Sequence, residues 1–344
     1  MPPTNLDHQS SQRATIVKRL RAKASQCIEQ FEYKRALKVG RKIERLRHTS
    51  GFEIMAQAYW AMDQRKKAIV ILKKGVKKVP DLWLLWDQLG CYCSDQGQYG
   101  QAMKAFKRAG GCPGADISTV RFNMALVYVR QRRPEAALET IRSIRMLGSG
   151  VLAINLASLK VQILTKIKRF RAALRLANRT LWRAKRLRLS AAINSIISPH
   201  ETGAEVLSRL YVDRATAYWC GTNNRKRCWV DLMRAIELNR TNAGAMSLMR
   251  EVEHQVSPAA KYMRVLIQGL WHRPLVGERR RPGFFTTFDV VADDPDEALK
   301  LICRFEPPRV RPTLRIEECR VLARRPTYPK GVYDVLGYAF FTKE

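Results

Sequence analysis

Acidic side chains are scarce in this sequence. Of 344 residues, 63 are Lys or Arg and 30 are Asp or Glu, a formal net charge of +33. An excess of that size favours contact with polyanions or acidic protein surfaces. Long apolar runs are missing too: no window approaches the ~20 apolar residues that a membrane span needs. The longest weakly charged segment, residues 148–159, is short and carries Ser and Asn. The opening Met1-Pro-Pro-Thr-Asn-Leu-Asp lacks a basic start followed by an apolar stretch, so no secretory signal is expected. The eight cysteines form no Cys-x-x-Cys pair and the five histidines no His-x-x-x-His pair, so no metal site is expected. Scattered cysteines without a signal peptide read as reduced thiols in a cytoplasmic protein.

The residues that catalysis needs are also thin on the ground. No Gly-rich phosphate loop and no Gly-x-Ser-x-Gly occur. Glu317 and Glu318 are adjacent in a strand-like segment and would face opposite sides of a sheet. Asp293, Asp294 and Asp296 precede an apolar run and read as the start of a helix, where acids oppose the dipole. The expectation is a non-enzymatic chain without a cofactor.

What the sequence does hold is a period of about 34 residues. Trp86-Asp-Gln-Leu89-Gly90 is followed by Ala102-Met-Lys-Ala-Phe106, with Ala109 beyond. Phe52, Met55, Ala56, Ala68 and Leu72 repeat that skeleton upstream; Met124, Ala125, Ala137 and Ile141 repeat it downstream. Ala173 and Ala177 mark a further unit, Leu20, Ala24 and Ala36 an early one, and Tyr211, Ala215, Cys228 and Leu232 a last one ending "AIELNRTN". Small residues at the crossing of two helices, with large ones beside it, suit stacked helical pairs. Trp-x-x-Leu-Gly followed by Ala-x-x-x-Phe resembles the tetratricopeptide repeat. The resemblance covers residues 16–256 and implies a mainly α fold, an α-solenoid of about six helical hairpins closed by a capping helix. An insertion at residues 186–203 lengthens the spacing before the last hairpin. Residues 1–15, polar with two prolines, are expected to be a disordered tail.

After Ser257-Pro258 the period changes. Residues 262–271, 284–292, 315–322 and 332–341 read as four β-strands rich in aromatic and β-branched types, with a helix from Asp293 to about Phe305. A ββαββ order over 259–344 implies a small C-terminal α+β domain.

The resemblance also implies a function: a scaffold whose first helices line a concave groove for a partner protein or peptide segment. On that face fall Glu53, Gln57, Trp60, Asp87, Cys91, Phe122, Arg130, Gln162, Lys166, Thr216 and Trp219. The places where chaperone-binding members clamp a terminal dicarboxylate hold Arg21 and Ser25, or Glu53 and Gln57, which does not suit that activity. Cations gather on the second helices instead: Lys38, Arg41, Arg45, Lys73, Lys77, Arg171, Arg175, Arg179, Arg183 and Arg186. Residues 151–200 carry 11 basic residues and no acidic one. The groove residues serve equally well as packing positions. The basic stripe is either a solvated face or a phosphate-driven contact with RNA, DNA or a ribosomal surface. Both pairs of readings stay open on sequence alone.

Overall fold

The computed structural model describes residues 5–46, 48–144, 151–186, 196–198, 201–274, 280–325 and 327–341. Two compact units divide the chain, residues 1–145 and 146–344.

The first unit is built of helical pairs: α1 (Asn5–Glu29) with α2 (Tyr33–Arg45), α3 (Ser50–Ala61) with α4 (Arg65–Lys78), α5 (Trp83–Asp95) with α6 (Tyr99–Gly110), and α7 (Ile117–Arg130) with α8 (Pro134–Arg142). Each turn is made the same way. A residue in the left-handed region stands two positions before the second helix: Phe31, Asp63, Gly97 and Arg132. The next amide then donates back to a carbonyl five residues earlier: Glu32 to Cys27 at 2.7 Å, Gln64 to Tyr59 at 2.9 Å, Gln98 to Cys93 at 2.8 Å and Arg133 to Tyr128 at 2.9 Å. This is the Schellman ending, which satisfies carbonyls that the helix leaves open. Gly97 alone among the four has no Cβ to strain.

Between the helices of a pair the small residues do what the repeat requires. Ala56, Ala68, Ala102, Ala125 and Ala137 are all 0% exposed. At Gly90 a Cβ would lie 2.6 Å from the ring of Phe106, which is itself buried. The core of this unit runs through successive pairs as one apolar cluster that includes Phe52, Leu72, Leu89, Phe106 and Val120.

The second unit continues the pattern with α9 (Val151–Lys166) and α10 (Phe170–Arg186), then α11 (Gly203–Thr222) and α12 (Arg225–Leu238). Lys168 and Asn223 take the left-handed turn positions, again two residues before the second helix. Six helical pairs are therefore present among the described residues. Part of the insertion, residues 187–195 and 199–200, lies outside those residues; β1 (Ile196–Ser198) and β2 (Glu201–Thr202) form a short hairpin. Thr202 and Glu205 close a capping box at the start of α11. Helix α13 (Ala243–Glu253) follows, capped by Asn242.

The C-terminal strands are β3 (Lys261–Leu270), β4 (Gly283–Ala292), β5 (Arg315–Arg324), β6 (Gly331–Val335) and β7 (Ala339–Phe341). The order is β5-β3-β4-β6, with β7 also on β4, and every pairing is antiparallel. Helix α14 (Pro295–Cys303) starts at Asp294, whose carboxylate accepts from the Glu297 amide at 2.8 Å. The apolar cluster here does not stop at residue 257: Leu232, Met246, Met263, Phe288 and Val332 belong to it together. Ion pairs span the same junction, Arg240 with Glu306 at 2.6 Å and Arg304 with Glu253 at 2.7 Å.

Two details differ from the sequence reading. Helix α1 starts at Asn5, so residues 5–15 are helical where a disordered tail was expected; no proline lies between Pro3 and the end of α1 at Glu29. The single strand expected over 332–341 is split into β6 and β7 at residues 336–338. There Leu336 donates to Thr287 and accepts from the Thr286 hydroxyl, which shifts the register along β4.

Phe106→Ala should cost about 3–5 kcal/mol of unfolding free energy through the cavity it leaves. Gly90→Ala should cost about 1–3 kcal/mol through overpacking against the same ring. Urea unfolding followed by circular dichroism measures both.

Candidate functional site

The first helices of α3, α5 and α7 carry a ladder of contacts beside the core of the first unit. Trp60 stacks on Tyr92 with ring centroids 4.0 Å apart and planes 19° from parallel. The Arg65 guanidinium lies 5.3 Å from the Trp60 ring. Asn123 donates to both carboxylate oxygens of Asp87, at 2.9 and 3.1 Å. Arg130 donates to the Ser94 hydroxyl at 2.7 Å and pairs with Asp95 at 2.6 Å. Burial pushes the Asp87 carboxyl above its usual range, while Asn123 pulls it back. Burial likewise raises the Cys91 thiol, with Asp87 and Asp95 adding to the rise, and takes the Tyr92 hydroxyl to about 12. A thiol held protonated in this way is a poor nucleophile and a poor metal ligand. Glu53 is also raised by burial, against the field of Arg21.

In the second unit, α9 and α11 surround a polar cavity of about 530 Å³ lined by Gln162, Arg209, Asp213, Asn239 and Asn242, among others. Asp213 is buried and accepts from the Ser158 hydroxyl. Burial pushes its carboxyl up to about 7, against the hydrogen bonds from Ser158 and Gln162 that favour the charged form. Arg209 donates to Asn155 at 3.2 Å beside it.

The expected groove residues are thus only partly brought together. Trp60, Asp87 and Arg130 take part in the ladder, Cys91 lies half-buried beside Asp87 and Asp95, and Glu53, Gln57 and Phe122 are half-buried nearby on the same helices. Gln162 lines the polar cavity; Lys166, Thr216 and Trp219 do not. The Thr216 hydroxyl turns back to Val212, and Trp219 donates to Glu251 at 3.0 Å. The basic stripe residues Lys38, Arg41, Arg45, Lys73, Lys77, Arg171, Arg175, Arg179 and Arg183 are all exposed; the side chain of Arg186 lies outside the described residues.

Asn123, Tyr92, Ser158 and Asp213 were not anticipated. Asn123 was missed because a shift of 35 from Asp87 lands on Phe122, whereas the contact falls at 36; the Arg130–Ser94 contact is also 36 residues apart. Asp213 sits in a helix otherwise read for its small residues, and nothing local marks it as buried.

Among the described residues, no group of three or more His, Cys, Asp or Glu is placed to hold a metal ion, and no helix is long and apolar enough to cross a membrane. Residues 85–109, which span most of α5 and α6, match the family model described as tetratricopeptide repeat. The fold is similar to that of a chain in the crystal structure of the APC/C hetero-tetramer Cut9-Hcn1: TM-score 0.51, 12% identity, 67% of this chain and 41% of that one. It is also similar to a tetratricopeptide repeat protein from Parabacteroides merdae: TM-score 0.50, 11% identity, 69% of this chain and 86% of that one. This chain therefore spans less than half the length of the matched chain in the first of these structures. No curated protein matches the sequence. The helical pairs have the tetratricopeptide-repeat fold, and the chain carries that repeat in a mainly α architecture with a C-terminal antiparallel sheet.

Below about pH 7 the folded protein holds a proton on Asp213 that an unfolded carboxyl releases near pH 4. This contribution to stability is complete below about pH 4 and lost as pH rises through about 7. Asp213→Asn should therefore be more stable than wild type at pH 8, with the difference closing towards pH 5. Urea unfolding at the two pH values reads this directly.

Proposed function

We propose that the protein is a non-enzymatic scaffold that binds an extended segment of a protein partner along the first-helix face of α3, α5 and α7. The observation that carries this reading is the ladder of Trp60–Tyr92, Asp87–Asn123 and Arg130 with Ser94 and Asp95. These groups are polar or amphipathic, they recur at the repeat spacing, and they are held in place by one another. A surface already ordered in this way loses little side-chain freedom when a partner docks. Aromatic and arginine side chains are also the types that dominate binding energy at protein interfaces. The Cut9-Hcn1 structure, one chain of which has a similar fold, is a hetero-tetramer. That supports a scaffold reading in general and names no partner here.

A photo-crosslinking amino acid placed at Gln57 or Phe122 should capture a partner from extract of the native host. The same group at Lys74, on the second helix, should not. Asp87→Ala and Arg130→Ala should each weaken the captured interaction by about tenfold, equivalent to about 1.4 kcal/mol. Capture that is equal from both faces, or that survives both substitutions, would overturn the proposal.

A further inference from the structure

The exposed face of α10 differs from the lysine-rich face of α4. Arg171, Arg175, Arg179 and Arg183 recur every four residues, so each is turned about 40° from the last and the row rises about 18 Å. All four are exposed, and no described residue pairs with them. On the same sector lies Trp182, with 59% of its surface exposed. Between Glu139 and Glu201 the sequence contains no carboxylate side chain at all.

Two cavities flank this row. One, of about 570 Å³ at the start of α10, is lined by Lys168, Arg169, Phe170, Arg171, Arg175 and Thr222. The other, of about 430 Å³ near its end, is lined by Asn178, Trp182, Lys185, Tyr211 and Arg214. No acidic residue lines either cavity. In the second, Arg214 is held over the Tyr211 ring at 5.4 Å by a two-point ion pair with Asp231 and a hydrogen bond to Asn178. The cavity thus offers two aromatic walls and fixed polar groups beside a row of arginines.

We infer that this face binds a single-stranded nucleic acid, with phosphates on the arginine row and a base against Trp182. Arginines alone would accept any polyanion. An exposed tryptophan among them is of no use to a carboxylate but provides a stacking surface for an unpaired base. Arginine also stacks on bases and forks onto phosphate, which lysine does not. The lysine-rich face of α4 makes the contrast: Lys73 and Lys77 are exposed there with no exposed aromatic beside them. A duplex would keep its bases stacked inside and leave Trp182 without a partner surface. The inference does not depend on the first-helix groove, which lies in the other compact unit.

The test is fluorescence polarisation with a labelled 12-nucleotide oligouridylate, titrated with the full chain at several salt concentrations. Trp182→Ala should weaken binding about 5- to 100-fold with the salt slope unchanged, and Trp182→Phe should restore most of it. Arg175→Ala/Arg179→Ala should weaken binding and lower the salt slope by about 0.7 per arginine. Thermal unfolding by circular dichroism should show that these variants remain folded. Four results would each overturn the inference: no binding by the wild type, full binding by Trp182→Ala, equal competition by duplex RNA or polyglutamate, or an equal loss in Lys73→Ala/Lys77→Ala.

Discussion

Two helices of a pair can approach closely only where one side chain is reduced to a methyl or a hydrogen. Gly90 beneath the Phe106 ring is the tightest instance in the first unit: there the absent Cβ is the space that the ring fills. The fully buried alanines at positions 56, 68, 102, 125 and 137 do the same in milder form. Because one pair cannot cover its own apolar face, each needs a neighbour, and the cluster from Phe52 to Val120 is continuous for that reason. The turn is the second half of the device. A left-handed residue two positions before each second helix, with its backward hydrogen bond, reverses the chain at the same point in every pair.

This construction separates two kinds of surface. First helices carry half-buried polar and aromatic groups that bind one another across successive pairs, as Asp87 does Asn123 and Trp60 does Tyr92. Second helices bury their small residues and turn long cations outward. The outward faces are not alike: α4 presents lysines, whereas α10 presents arginines around an exposed tryptophan. The same net charge can therefore serve as plain solvation in one place and as specific recognition in another. The C-terminal sheet is tied to the last helices by apolar packing and by the Arg240–Glu306 and Arg304–Glu253 pairs.

Much of this was legible in the order of residues. The small-residue positions, the six pairs, the four β-rich segments and the helix near Asp294 all follow from periods of 3.6 and 2 and from a repeat of about 34. The exposure of the basic residues was also legible, since long cations on a periodic helix fall on the face opposite the small residues. The groove was legible only in part. Asp87 and Arg130 were named from the repeat, but their partners Asn123 and Ser94 lie at an offset of 36, two more than the repeat of about 34. Thr216 and Trp219 lay on the expected helix yet turn to Val212 and Glu251, which are a local carbonyl and an acid of α13.

Periodicity settled that the helices come in pairs and which side of each is apolar, because those follow from local backbone geometry and from burial of one face. Three things needed the chain folded in space. One is the raised carboxyl of Asp213, which is buried against Ser158, 55 residues earlier in the chain. Another is the break between β6 and β7, made by Thr286 and Thr287 on a strand nearly fifty residues upstream. The last is the company of Trp182, whose neighbours Tyr211 and Arg214 come from the next helical pair. In each case the deciding energy is a contact between segments, and a linear pattern of residue types carries no distance between them.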